Sequence, residues 1–263
     1  MVIVNVMRRV KMMVKLISKT QNLLDVLYTG ATTCYNAGSP IDKWFDVCTI
    51  PTDKKQKLID KCIKSGHTSV LEHSQFTFAV EGVSRALLAQ LTRHRVGVSF
   101  SVQSQRYVEI KEDQDKLYEL FTSNNYTREN YKDSELYKVL DKYFTENEFK
   151  NVNGYYYALD NYLEAINDGE KAEDARRFLP NATKTNLVIT LNLRSLIHLC
   201  HERLCTHAQK EIRQLVREMC NTVLKDEEWL KPYLQPKCVA LGKCNEGKSC
   251  GYIESVKGQS KCQ

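Results

Sequence analysis

Apolar and polar positions along the chain fall into two periodicities. The short stretch Val14–Ile17 predicts a strand, Phe76, Phe78 and Val80 alternate with polar residues as in a half-buried strand, and Val188–Asn192 predicts a third. Helical spacing predicts Asn22–Tyr28, ended by Gly30 ahead of the turn-rich ATTCYNAGSP, and Lys54–Lys64, where Leu58, Ile59, Cys62 and Ile63 recur on one face. Gly66 then stands where a left-handed C-terminal cap belongs, so His67 opens a loop. Gly82 breaks the second strand, and Ser84 is placed to cap a helix through Arg95. On that helix Leu87, Leu88 and Leu91 form the apolar stripe, while Gln90, Arg93 and His94 gather within one turn on another face.

Residues Lys111–Gly169 hold nine of the fourteen tyrosines and no proline, and they predict helices, among them Leu136–Tyr143 and Tyr155–Ile166, joined by Asn-rich loops. Arg194–Leu224 contains neither Gly nor Pro and keeps helical spacing throughout. The tail after Pro232 reads as a loop. One domain is expected over residues 12–232, with residues 1–11 as an extension before it, residues 111–169 as a Tyr-rich helical segment within it, and residues 233–263 as a Cys-containing tail.

Composition narrows the class. No uncharged apolar run approaches the roughly 20 residues needed to cross a bilayer, and the charged start lacks the apolar stretch of an export signal. A cytoplasmic protein without membrane contact is expected. The ten cysteines are therefore read as reduced thiols. In the tail Cys238, Cys244, Cys250 and Cys262 have spacings unlike common zinc sites and no neighbouring histidine, so no metal is expected. The net charge of +6 suits an anionic ligand, without choosing between a nucleotide and a nucleic acid.

All six histidines lie in three short stretches: His67 and His73, then His94, then His198, His201 and His207. Arginines accompany them, with Arg93 and Arg95 flanking His94, Arg106 downstream, and Arg194 and Arg203 in the last stretch. A guanidinium is a planar, permanently charged fork matched to phosphate oxygens and to a pyrimidine edge. Two such forks around a histidine, followed by Ser104 and Arg106, make a nucleotide cradle.

The stretch RHRVGVSFSVQSQRY (Arg93–Tyr107) resembles the signature of flavin-dependent thymidylate synthases, in which RHR is followed by seven residues and then Ser-x-Arg-Tyr. GHTSVLEHSQFTF (Gly66–Phe78), ARRFLP (Ala175–Pro180) and NLRSLIHLCHERLCTHAQKEIR (Asn192–Arg213) extend the resemblance in the family's order. It implies an α+β fold: a single domain with a mixed β-sheet flanked by long helices, assembled as a homotetramer with active sites between subunits. It also implies the methylation of dUMP to dTMP with tightly bound FAD, and with NADPH and 5,10-methylenetetrahydrofolate as co-substrates. Carried across by position, dUMP falls to Gln90, Leu91, Thr92, Arg93, Val102, Gln103, Ser104, Gln105, Arg106, Arg176 and Arg203. FAD falls to His67, Ser69, Arg93, His94, Arg95, Val96, Asn192, Arg194, His198 and His207. Arg203 is the implied catalytic residue, stabilising negative charge at the N3 edge of the pyrimidine.

The chain departs from the signature in one respect: eight residues, not seven, separate Arg95 from Ser104, so Val96–Val98 must absorb one more position. Anchored on Ser104, Val102 stands where the family often has a polar residue.

As one straight helix, Arg194–His207 would turn Arg194, His198 and His201 to one face and Arg203 and His207 to the other. Either the helix breaks near Cys200–Arg203 or subunits share sites, and shared sites are the expectation. The rival class is a basic nucleic-acid-binding protein, which would carry no chromophore.

Overall fold

A computed structural model describes residues 12–123 and 126–260. The proposed extension at residues 1–11 and Cys262 lie outside the described residues. In chain order the elements are β1 (Met13–Lys19), α1 (Leu23–Tyr35), α2 (Pro40–Asp46), α3 (Thr52–Lys64), β2 (Gln75–Ser84), α4 (Arg85–Leu91) and β3 (Val98–Val102). The chain continues through α5 (Gln114–Thr122), α6 (Glu135–Tyr143), α7 (Val152–Asn167), α8 (Ala172–Ala175) and β4 (Lys184–Asn192). It closes with α9 (Leu193–Arg203), α10 (Lys210–Leu224), α11 (Lys237–Ala240) and α12 (Tyr252–Ser260).

The strands form one sheet in the order β1-β2-β4-β3. The expected mixed sheet is corrected to an antiparallel one. The end of β1 meets the start of β2, where Thr20 N–H donates to Gln75 O at 3.0 Å. On β3 and β4, Gln103 N–H donates to Asn186 O at 2.9 Å while Asn192 N–H donates to Gly97 O at 3.2 Å, so advancing along one strand retreats along the other. Alternation is the reason these stretches are strands: Phe76, Phe78 and Val80 on β2 and Leu187, Ile189 and Leu191 on β4 are buried, with more exposed residues between them.

The chain packs as two compact units. The boundary falls inside β2, β3 and β4. One unit comprises Val80–Gln90 and Ser101–Leu187. Its core is the Tyr-rich segment, in which Leu117, Leu136, Leu140, Phe144, Leu159 and Leu163 surround buried Tyr131, Tyr156 and Tyr162. Tyr131 keeps its hydroxyl satisfied by donating to Asn147 Oδ1 at 2.7 Å, which removes the cost of burying it. The predicted helices at Leu136–Tyr143 and Tyr155–Ile166 are present as α6 and α7.

The other unit comprises Val14–Ala79, Leu91–Phe100 and the chain from Val188. Here α3 ends as predicted: Gly66 takes φ +78°, Gly66 N–H bonds Ile63 O and His67 N–H bonds Cys62 O, the paired bonds of a Schellman cap. Four local expectations are corrected. Gly82 does not break β2 but lies within it at φ +71°. Gly30 does not end α1 but lies within it, where a Cβ would come 3.0 Å from the His73 ring. The helix after Ser84 stops at Leu91 rather than Arg95, because His94 N–H bonds back to Leu91 O (3.1 Å) and tightens the chain into a loop. The long helix from Arg194 breaks after Arg203, with no Gly or Pro needed. Ala208 N–H turns back to Cys205 O, and Arg213 Nη1 donates to Thr206 O at 2.7 Å, satisfying a carbonyl that helix bonding would otherwise use. The tail, read as a loop, contains α11 and α12.

Candidate active site

Shortening α4 and breaking α9 together place the RHR segment in a loop that meets both ends of an 11-residue helix. Asn192 caps α9, its Oδ1 accepting from Ser195 N–H at 2.8 Å, a contact worth about 1 kcal/mol in helix stability. Ser195 Oγ donates to Val96 O at 2.6 Å, and Asn192 N–H donates to Gly97 O. From the last turn of α9, Arg203 donates its Nε–H to His94 Nε2 at 3.0 Å. The His94 and His198 rings meet edge to face, 5.7 Å apart. A cavity of about 160 Å³ lies here, lined by Arg93, His94, Arg95, Val96, Ser195 and His198 over the apolar floor of Leu91, Ile189 and Leu191.

Electrostatics fix the protonation of His94. Burial, reinforced by the Arg203 guanidinium and by His198, pushes the His94 imidazole down to about 4. His94 is therefore neutral at physiological pH, and a neutral Nε2 is what can accept a bond from a guanidinium that only donates. His201, on the same helix, is also lowered by burial. Arg194 instead pairs with Glu72 at 2.5 Å, tying the start of α9 to the 3₁₀ turn Thr68–His73 that follows His67.

The residues assigned to FAD all fall in this one unit, but the structure does not draw all of them to one point. His94, Arg95, Val96 and His198 share the small cavity. His67 lies edge-on to Tyr35, 6.2 Å away. His207 lies on the turn between α9 and α10 and borders a larger cavity of about 760 Å³, lined also by Lys210, Arg213, Arg217 and Cys238. The larger space holds none of the other assigned FAD residues. The smaller one, where histidine, arginine and helix N-terminus converge, is the better guide to chemistry.

The residues assigned to dUMP divide between the units, with Leu91, Thr92, Arg93 and Arg203 in one and Gln90, Val102, Gln103, Ser104, Gln105, Arg106 and Arg176 in the other. Leu91 is fully buried, main chain and side chain alike, and contributes to the floor of the small cavity. Ser104 Oγ accepts from Arg106 N–H at 3.1 Å, a turn that directs the Arg106 side chain to Glu173 at 2.8 Å. Gln103 pairs side chain to side chain with Asn186 at 3.0 Å, while its carbonyl accepts from Arg85 Nη2 at 2.9 Å.

Arg85 was not singled out from the sequence. Its Nε is buried without a hydrogen-bond partner, and burial together with the neighbouring Arg176 guanidinium lowers its affinity for a proton. Two guanidiniums side by side, one with an orphaned donor, suit an anion. In the sequence Arg85 is marked only by its place directly after the capping Ser84, which says nothing of the charges that surround it in the fold.

Among the described residues, no group of three His, Cys, Asp or Glu side chains is placed to hold a metal ion. Among the described residues, no helix is long and apolar enough to cross a membrane.

Residues 15–226 match the family model described as thymidylate synthase complementing protein. The chain is 36% identical over 247 residues to the flavin-dependent thymidylate synthase of Clostridium tetani, covering 93% of this chain and 95% of that protein. It is 36% identical over 254 residues to the flavin-dependent thymidylate synthase of Nitratidesulfovibrio vulgaris, covering 93% and 96%. Its fold superposes on that of thymidylate synthase X from Helicobacter pylori, solved with FAD and dUMP, with a TM-score of 0.61 and 25% identity over 84% of this chain and 97% of that one.

Proposed function

The chain belongs to the flavin-dependent thymidylate synthase family, and on that premise we propose the residues through which it methylates dUMP to dTMP with FAD, NADPH and 5,10-methylenetetrahydrofolate. Bound FAD supplies the hydride that completes the new methyl group. The observation that carries the assignment of roles is the contact between His94 and Arg203, which joins the RHR loop to the arginine expected to activate the pyrimidine.

Arg203 holds its Nη groups free of that contact, because only Nε donates to His94. Those groups face the N3 edge of dUMP and stabilise the negative charge that makes C5 nucleophilic, a preorganised electrostatic role. Gln90, Arg93, Ser104, Gln105, Arg106 and Arg176 bind dUMP, with Leu91, Thr92, Val102 and Gln103 lining it, and Arg85 joins Arg176 at the phosphate. His67, Ser69, Arg93, His94, Arg95, Val96, Asn192, Arg194, His198 and His207 bind FAD. The donor set fits that group: imidazoles, guanidiniums and an Asn amide offer hydrogen bonds to a pyrophosphate and to the edge of a flavin ring, and no carboxylate belongs to the set.

The active enzyme is a homotetramer with sites shared between subunits. Because the helix breaks after Arg203, Arg203 and His207 are not two faces of one long helix, and their directions do not require a second subunit. What supports it is size and exposure. A cavity of about 160 Å³ is below the several hundred Å³ of typical ligand sites, so one chain supplies only part of the flavin's surroundings. Val96 at that cavity is 83% exposed, and Tyr35, Ile41 and Phe45 present further exposed apolar surface.

An absorption spectrum of the purified protein, followed by an assay of dTMP formation from dUMP, methylenetetrahydrofolate and NADPH, tests the reading. A flavin spectrum with dTMP product is expected; colourless, inactive protein that cannot be loaded with FAD would overturn it. Light scattering tests the assembly, and a fully active monomer would refute shared sites.

A further inference from the structure

The loop after RHR carries one residue more than the family signature, and the structure shows how its backbone is held. Gly97 takes φ +65°, a left-handed conformation that costs a glycine little and an L side chain more. A Cβ at position 97 would stand 2.6 Å from Ser195 Oγ and closer still to Asn192 Nδ2. The main chain at Gly97 therefore lies flat against the first turn of α9. Three bonds hold it there: Ser195 Oγ to Val96 O, Asn192 N–H to Gly97 O, and the Asn192 cap that fixes Ser195 in place.

The peptide between Val96 and Gly97 is planar and trans, since no cis peptide occurs among the described residues. Its carbonyl points to α9 through the Ser195 bond, so its N–H points the opposite way, out from the helix. Val96, on the same peptide, is largely exposed beside His94 and Arg95. One hydroxyl thus decides where a main-chain donor is aimed.

We infer that Ser195 and Gly97 are positioning residues for the flavin, Ser195 orienting the Val96–Gly97 peptide so that the Gly97 N–H becomes a fixed donor to FAD. Ser195 acts through the peptide and does not itself touch the cofactor. Gly97 allows the close approach that the lengthened loop requires. The inference rests on the assignment of Arg95, Val96 and Asn192 to the FAD site, and it adds a donor and a device for aiming it. No metal, reductant or proton transfer is involved.

The test is FAD binding by the apoprotein, followed by quenching of flavin fluorescence, with the visible flavin spectrum and thermal melting of the same samples. Loss of one neutral hydrogen bond predicts that Ser195→Ala weakens FAD affinity about three- to tenfold. Ser195→Thr, which keeps the hydroxyl, should restore most of it, and Gly97→Ala should weaken it more than Ser195→Ala does. Melting temperatures of the two Ser195 variants should agree closely. Wild-type FAD affinity in Ser195→Ala would overturn the inference while leaving the family reading intact. Equal weakening in the Ala and Thr variants, accompanied by equal loss of thermal stability, would also overturn it, by making Ser195 a structural residue only. Failure of the wild-type apoprotein to bind FAD would remove both readings together.

Discussion

Arg203 reaches back from the last turn of α9 to donate its Nε–H to His94 Nε2 at 3.0 Å, so the middle residue of RHR is the partner of the proposed pyrimidine-activating arginine. A guanidinium held by one edge keeps its other donors in a fixed direction, which is what electrostatic preorganisation requires.

Arg203→Ala is accordingly expected to reduce turnover by a factor of about 100 to 1000, the range typical for removing one preorganised donor. Arg203→Lys should recover little, because an ammonium offers no planar fork to bond His94 and the substrate together. Rates of dTMP formation and of flavin reduction by NADPH, measured separately, check this. Parallel loss of flavin reduction would show that Arg203 organises the cofactor instead.

The neutral state of His94 has a consequence for stability. Its pKa is about 4 in the folded protein against an ordinary 6.5, so between these values the unfolded chain takes up a proton that the folded chain refuses. The stabilisation is complete above about pH 6.5 and is lost as pH falls toward 4. Protonation would also set an imidazolium against Arg203. Denaturation midpoints of the wild type and of His94→Gln, compared from pH 7 to pH 4, should converge as the pH drops; a constant separation would contradict the assignment.

Arg85→Ala should weaken dUMP binding by about 10- to 100-fold, as expected for a hydrogen bond to a charged group, while leaving FAD affinity unchanged. Isothermal titration with dUMP reads this directly. Unaltered dUMP affinity would place Arg85 outside the phosphate site and leave its buried Nε without an explanation.

None of the cysteines should serve as methylation nucleophile. Cys200 and Cys220 are buried with sulfurs 3.2 Å apart, and burial raises the Cys200 thiol far above the range in which thiolates form. Single Cys→Ala variants at Cys34, Cys62, Cys200 and Cys220 should retain dTMP synthesis. A folded variant that binds FAD and dUMP yet makes no dTMP would reverse this.

Much of the fold could be read from the chain because the relevant forces are local. Alternation at Phe76–Val80, helical spacing at Lys54–Lys64 and the Gly66 cap each depend on residues a few positions apart. The errors share a cause. Gly30 looked like a helix terminus, but its role is set by His73, a residue 43 positions away. The break after Arg203 carries no Gly or Pro because the side chain of Arg213 satisfies the freed carbonyl of Thr206. The same holds at the site. Clustered histidines and arginines announce RHR and α9, while Arg85 gains its significance only from Gln103 and Arg176, and Ser195 and Gly97 only from the meeting of the RHR loop with α9.

The Tyr-rich segment closes its own interior, with Phe121 stacked on Tyr156 at 3.7 Å and the hydroxyl of Tyr131 satisfied from within by Asn147. A region sealed in this way answers to its own internal constraints. Substitutions on its outer face can accumulate by neutral drift, and selection at the catalytic arginines need not restrain them. Exchanges on that outer face should therefore leave the contact between His94 and Arg203 as it is.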